Sequence, residues 1–224
     1  MAAISAARCA ARLAAIAALA LAAGCSSRST PAASRAPAPD AAASDALVQE
    51  LYESGRYDEV VSRVTAASVG DVGAEALWLA AHSHLRLGRK DEAARLLARL
   101  ATMEGDPGWQ VTSQLALAGL EGNADALARA RQAAGAFPGD PFVQYELGLS
   151  AARSGDFTAA AQAFDRSLEA DPTFAYAYYY AGLTYDRLGR ADLMVTRFDT
   201  FLRLAPQAPE RPEVESILRT VRGR

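Results

Sequence analysis

The sequence predicts an all-α chain, a superhelical solenoid of about five helix-turn-helix units closed at its carboxyl end by one capping helix. Three observations predict it. Glycines stand at Gly55, Gly88, Gly122, Gly155 and Gly189, separated by 33, 34, 33 and 34 residues, and a fixed period of this length is the mark of a stacked repeat. Ala, Leu, Arg, Glu and Gln dominate between them, with apolar residues at helical spacing, as in Ala93, Leu96, Leu97 and Leu100. Asp106-Pro107, Asp140-Pro141 and Asp171-Pro172 fall between units, where one helix must stop and the next begin.

The amino terminus comes first in order. Residues 1–24 hold no acidic residue, carry Arg8 and Arg12, and run apolar from Leu13 to Ala23, the pattern of a secretory signal peptide too short to span a bilayer. They end Leu21-Ala22-Ala23-Gly24-Cys25. Small residues before a cysteine resemble the lipobox of bacterial lipoproteins, which implies that Cys25 is acylated and becomes the new first residue. Ala22 departs from that pattern, since a larger aliphatic is commoner there, and cleavage after Ala20-Leu21-Ala22 is the alternative. Cys9 leaves with the signal, so the mature protein is expected to contain no disulfide. Losing Arg8 and Arg12 takes the formal net charge from −3 to about −5. That sign argues against nucleic acid as a partner and leaves membrane attachment to the acyl chains. Apart from Cys25 and Asp40, residues 25–40 are Ser, Ala, Pro, Thr and Arg with no large apolar side chain, and a similar composition runs on to about Ala43. A disordered tether is expected there.

Residues 41–208 then divide into five units, 41–73, 74–107, 108–140, 141–174 and 175–208. The marker glycine is assigned to the tight turn between two helices. Three residues after it stand Asp58, Asp91, Asp125, Thr158 and Asp192, and a carboxylate in the first turn of a helix complements its dipole. Phe164 and Phe198 are 34 apart, as are Pro172 and Pro206, and the last two units share Gly148 and Gly182. These marks resemble the tetratricopeptide repeat, a 34-residue pair of antiparallel helices. The first three units are degenerate: Val64, Leu97 and Arg131 stand where the others have phenylalanine. A charge fits a packing position badly, and a slip of one residue would put Ala130 there. Residues 209–224 hold the capping helix, with Val214, Ile217, Leu218 and Val221 to cover the last unit.

The resemblance implies that first helices line the concave wall. In that register the wall begins with Ala42, Asp45, Gln49, Glu53 and Glu75. It continues through Trp78, His82, Arg86, Trp109, Thr112, Ala116, Leu120, Phe142, Tyr145, Leu149, Arg153, Tyr176, Tyr179, Leu183 and Arg187. Two readings of the aromatics stay open: packing between hairpins, or an exposed floor for a peptide with bulky apolar side chains. The peptide-binding groove expected on the second reading is Trp78, His82, Trp109, Phe142, Tyr145, Leu149, Arg153, Tyr176, Tyr179, Leu183 and Arg187. Arg86, Arg153 and Arg187 would hold carboxylates or backbone carbonyls of the guest. The paired Lys and Asn of the family's carboxylate clamp are absent from these positions, so chaperone-tail binding is not implied.

No catalytic residue, metal site or cofactor is expected. His82 and His84 are two apart on one helix and point to different faces; no phosphate loop or nucleophile elbow occurs. The function expected is a non-catalytic scaffold or adaptor binding other envelope proteins or peptide segments, with no small-molecule substrate. It would be lipid-anchored at Cys25 and face the periplasm from the outer membrane. The alternative is a dedicated assembly factor, such as a pilus secretin escort or a barrel-assembly component.

Overall fold

Five helical hairpins form where the glycine period places them. The computed structural model describes residues 39–66, 72–123 and 125–223, with side chains from Asp45 onward. The hairpins are α1 (Pro39–Glu53) with α2 (Tyr57–Ala66), α3 (Ala74–Arg86) with α4 (Lys90–Ala101), and α5 (Pro107–Glu121) with α6 (Ala126–Ala136). They continue as α7 (Pro141–Arg153) with α8 (Phe157–Ala170) and α9 (Ala175–Arg187) with α10 (Ala191–Leu204), and α11 (Arg211–Arg222) follows. No strand occurs among the described residues. Each second helix also packs on the first helix of the next hairpin, and α11 packs on α10. The all-α solenoid is therefore the observed fold.

The five marker glycines all sit in the left-handed region, with φ between 68° and 81°. Any other L-residue is disfavoured there by about 1–2 kcal/mol, which accounts for the period. Gly148 and Gly182 act differently, inside helices: a Cβ on either would stand 2.5 Å from the ring of Phe164 or Phe198. Their bare backbones let α7 meet α8 and α9 meet α10, and both phenylalanines are fully buried. Asp106 and Asp140 cap α5 and α7, accepting backbone N–H bonds from Gly108 at 2.7 Å and from Phe142 and Val143 at 3.0 Å. Proline follows each as the first helical residue, where its missing N–H costs nothing.

Two expectations need correction. Residues 39–43 belong to α1, not to a tether: Pro39 is tolerated in a first helical turn, and Ala41, Ala42 and Ala43 have the highest helix propensity. In the third hairpin the register slips by one. The turn after Gly122 is longer, Asp125 becomes the N-cap, and the helix starts at Ala126. Ala130 is then fully buried, while Arg131 points outward and pairs with Asp156 at 2.7 Å. Ala130→Asp is expected to cost about 3 kcal/mol by burying an unpaired charge, and Arg131→Ala to stay within about 0.5 kcal/mol; urea unfolding of both variants checks this.

Val214 and Leu218 are buried under α11, with Ile217 and Val221 partly buried beside them. The turn leading into α11 reaches further than a cap requires. Pro209 lies against Gly55 of the first hairpin, so close that a Cβ there would stand 2.8 Å from the proline Cδ. Within residues 39–223 the last hairpin thus returns to the first.

Candidate functional site: a filled concave wall and the notch at its mouth

The return of the chain decides what becomes of the first-helix residues. Trp78 is 1% exposed, Tyr145 1% and Tyr176 2%, and His82, Trp109, Phe142, Leu149 and Tyr179 are buried as well. They are buried together instead of forming an exposed floor. Trp78 lies 5.2 Å from Phe142, 5.7 Å from Tyr145 and 6.1 Å from Phe174, centroid to centroid. Trp109 meets Phe142 at 4.5 Å, and Tyr176 meets Tyr52 at 5.0 Å and Phe201 at 5.8 Å. Most of these pairs are tilted or edge-on, the arrangement favoured by the ring quadrupoles and worth about 0.5–1.5 kcal/mol per pair beyond area burial. The Trp78 indole N–H meets no acceptor among the described residues, so packing alone holds that ring.

Of the expected groove residues, Arg153 and Arg187 remain exposed and Leu183 is half-buried. Cys25 lies outside the described residues. His82 donates to or accepts from Glu146 at 3.3 Å inside the cluster and stacks near Trp78 at 4.1 Å. His84 faces α4, and burial followed by the Arg89 charge lowers its pKa. The two imidazoles therefore serve separate interfaces.

Arg86 does hold a carboxylate, and it is the chain's own. Its guanidinium pairs with Glu210 at 2.8 Å, lies 5.0 Å from the Tyr176 ring centroid and donates to Tyr180 Oη at 3.4 Å. Tyr176 Oη donates to Glu210 at 3.0 Å and stands 3.1 Å from Tyr57 Oη. Burial pushes the Tyr52 and Tyr176 hydroxyls well above their ordinary pKa, and burial followed by the Glu213 and Glu210 charges pushes Tyr179 up to about 12. These phenols stay protonated throughout the physiological range. The clasp joins residues of α1, α2, α3 and α9 to the turn before α11.

Among the described residues a small notch remains between the first and last hairpins, with room for about one water molecule. Tyr52, Leu79, Phe142, Phe174 and Tyr176 form its floor; Gln49, Glu53, Glu75 and Asp171 form its rim. The wall register names Gln49, Glu53, Glu75, Phe142 and Tyr176. It misses Tyr52 and Leu79, each one position off the groove face, and Asp171 and Phe174, which lie in the turn before α9. Glu53 accepts from Gln49 Nε2 at 3.0 Å. Burial raises the Glu53 pKa, the Gln49 hydrogen bond opposes this, and the charges of Asp171 and Glu50 raise it further.

Comparisons agree with this architecture. The Tetratricopeptide repeat family model matches residues 46–108, 115–173 and 145–209. The structure of TTC0263, described as a thermophilic TPR protein of Thermus thermophilus, is similar with a TM-score of 0.52 and 19% identity, covering 78% of this chain and 95% of that one. YrrB, described as a TPR protein with an unusual peptide-binding site, aligns with a TM-score of 0.45 and 22% identity over 77% of this chain and 88% of its own. MamA of AMB-1 aligns with a TM-score of 0.41 and 17% identity over 75% and 94%. No curated protein matches the sequence. With glycine turns, paired helices and a family match over more than half its length, the chain belongs to the tetratricopeptide-repeat family.

Proposed function

We propose that the chain is a non-catalytic, protein-binding scaffold of the bacterial envelope, anchored by lipid on Cys25 and presenting its repeat domain to segments of other envelope proteins. The observation that carries this reading is the use made of polar groups on the repeated wall. His82 faces Glu146 and Arg86 faces Glu210, so these polar groups serve the architecture and leave surfaces for recognition. Because the aromatic wall is filled, contact with a partner belongs to its edge: the notch, and Arg153 and Arg187 at corresponding places one repeat apart. No described helix is long and apolar enough to cross a membrane. Attachment in this reading rests on the acylated cysteine.

A photo-crosslinking residue at Glu53 or Arg187 is expected to trap discrete protein adducts in cells, and one at Arg95, exposed on a second helix, to trap none. Equal adducts at all three positions would contradict the scaffold reading. Many soluble adducts fit an adaptor, whereas one dominant secretin or barrel component fits an assembly factor. Mass spectrometry of the mature amino terminus tests the anchor separately: a diacylated Cys25 is expected, and an unmodified one contradicts it.

A further inference from the structure

Glu210 stands at the amino end of α11, yet its carboxylate caps no N–H of that helix. It reaches back instead to Arg86 at 2.8 Å and accepts from Tyr176 Oη at 3.0 Å. Resting on the scaffold reading above, we propose that the turn carrying Glu210 is an internal stand-in for a partner: a glutamate-bearing segment of another protein exchanges with it on Arg86 and so opens the clasp between the first and last hairpins.

The turn is lightly seated. Ala205, Ala208 and Glu210 are tucked in, whereas Pro206, Gln207 and Pro209 face water. Two alanines and one carboxylate leave little apolar area to give up. Beyond the turn, α11 packs on α10 with Val214 and Leu218 buried. The turn holds the first two hairpins through Pro209 against Gly55 and Glu210 on Arg86. Both contacts can therefore part while α11 stays on α10.

Simple opening is unfavourable, because it strands a guanidinium whose side chain is only 25% exposed. Exchange is different. An incoming carboxylate restores the ion pair and the Tyr176 hydrogen bond as Glu210 leaves, and the released Glu210 keeps a favourable place at the positive end of the α11 dipole. The same exposed quarter of Arg86, beside the half-buried Tyr57, gives the guest its access. Glu146 on His82, with 1% of its side chain exposed, offers none.

Arg86 fixes the charge of the guest, and the present occupant shows what fits around it. Tyr176 and Tyr180 flank the guanidinium, their ring centroids 5.0 and 6.0 Å away. Against this surface the chain itself lays Ala205-Pro206-Gln207-Ala208-Pro209-Glu210, small and stiff residues leading to one acid. A guest of the same kind loses little conformational freedom on docking.

The test uses the full chain and a nine-residue peptide copying positions 204–212. A group on a short tether acts at an effective concentration of order millimolar, so the peptide is carried to about 10 mM. An NMR titration of the unmodified protein is expected to move the Ala208 and Glu210 amide signals toward those of the free peptide, and the same peptide with glutamine for glutamate to leave them in place. Glu210→Gln, with unchanged circular dichroism, should bind the glutamate peptide at least tenfold more tightly than the unmodified protein, and adding Arg86→Gln should abolish that gain. Signals that do not move, an equal response to the glutamine peptide, or equal affinity of Glu210→Gln and the unmodified protein overturns the proposal. N-acetylglutamate amide acting at the same concentration overturns it in favour of a small-carboxylate site. A dimer in sedimentation that Glu210→Gln dissociates overturns it in favour of exchange between copies of this chain. If any of these occurs while crosslinks at Glu53 and Arg187 still form in cells, exchange at Arg86 fails and the scaffold reading stands; loss of site-specific crosslinks is the failure of the scaffold reading.

Discussion

Trp78→Ala is expected to cost about 3–5 kcal/mol of folding stability, as truncation of a fully buried large aromatic does. At roughly 2–4 °C per kcal/mol for a domain of this size, the thermal midpoint should fall by about 6–20 °C. The effect is large because Trp78, 1% exposed, touches rings from α5, α7 and the turn before α9. Its removal leaves a cavity where several hairpins meet. Arg187→Ala, an exposed change at another first-helix position, should stay within about 0.5 kcal/mol. Thermal unfolding followed at 222 nm distinguishes the two. A Trp78→Ala protein as stable as the parent would mean that this ring lies on an open surface.

Glu210→Ala is expected to cost about 2–4 kcal/mol and to loosen one end of the domain selectively. The change leaves the Arg86 guanidinium without its carboxylate and the Tyr176 hydroxyl without its acceptor. Losing one partner of a buried pair costs about 3–5 kcal/mol, and a quarter of the Arg86 side chain remains in water, which lowers the figure. Hydrogen exchange should accelerate in α1 and α2 more than in α7 and α8, because the first hairpin loses its tie to the last while the fourth keeps Phe164 against Gly148. Uniform acceleration along the chain would contradict the clasp. Arg86→Ala combined with Glu210→Ala should cost less than the two single changes added together, since the double variant strands neither charge.

The hairpins were legible because their determinants are local. A left-handed turn needs glycine, a helix start takes Asp before Pro, and Phe198 against Gly182 is a contact within a single hairpin. The slip at Ala130 was visible as a conflict at Arg131; its cause, the longer turn after Gly122, moved Asp125 from the first turn of the helix to its cap.

The filled wall was less legible. Helical register tells which residues face the concave side, and it names Trp78, Tyr145 and Tyr176 correctly as a shared face. Whether that face meets solvent depends on the small rotation between successive hairpins, which accumulates over the array and which no single residue encodes. Tyr57 and Tyr176 meet across 119 positions of sequence. The resemblance assigns Arg86 to a carboxylate or backbone carbonyl of a guest, whereas the group it meets is the chain's own Glu210. A turn with Pro206 and Pro209, followed by Pro212 in the first turn of α11, was the available sign that the approach to α11 is stiff enough to serve as a strut.

Trp78 and Trp109 are the chain's two tryptophans, and both sit in the closed wall. Tryptophan emission of the unmodified protein, measured with increasing acrylamide, therefore reads the state of that wall directly. A filled wall predicts emission well to the blue of free tryptophan and quenching far weaker than that of the urea-unfolded chain. Emission at the wavelength of free tryptophan, with quenching as strong as in the unfolded chain, would mean that both indoles face water and that the wall is an open groove.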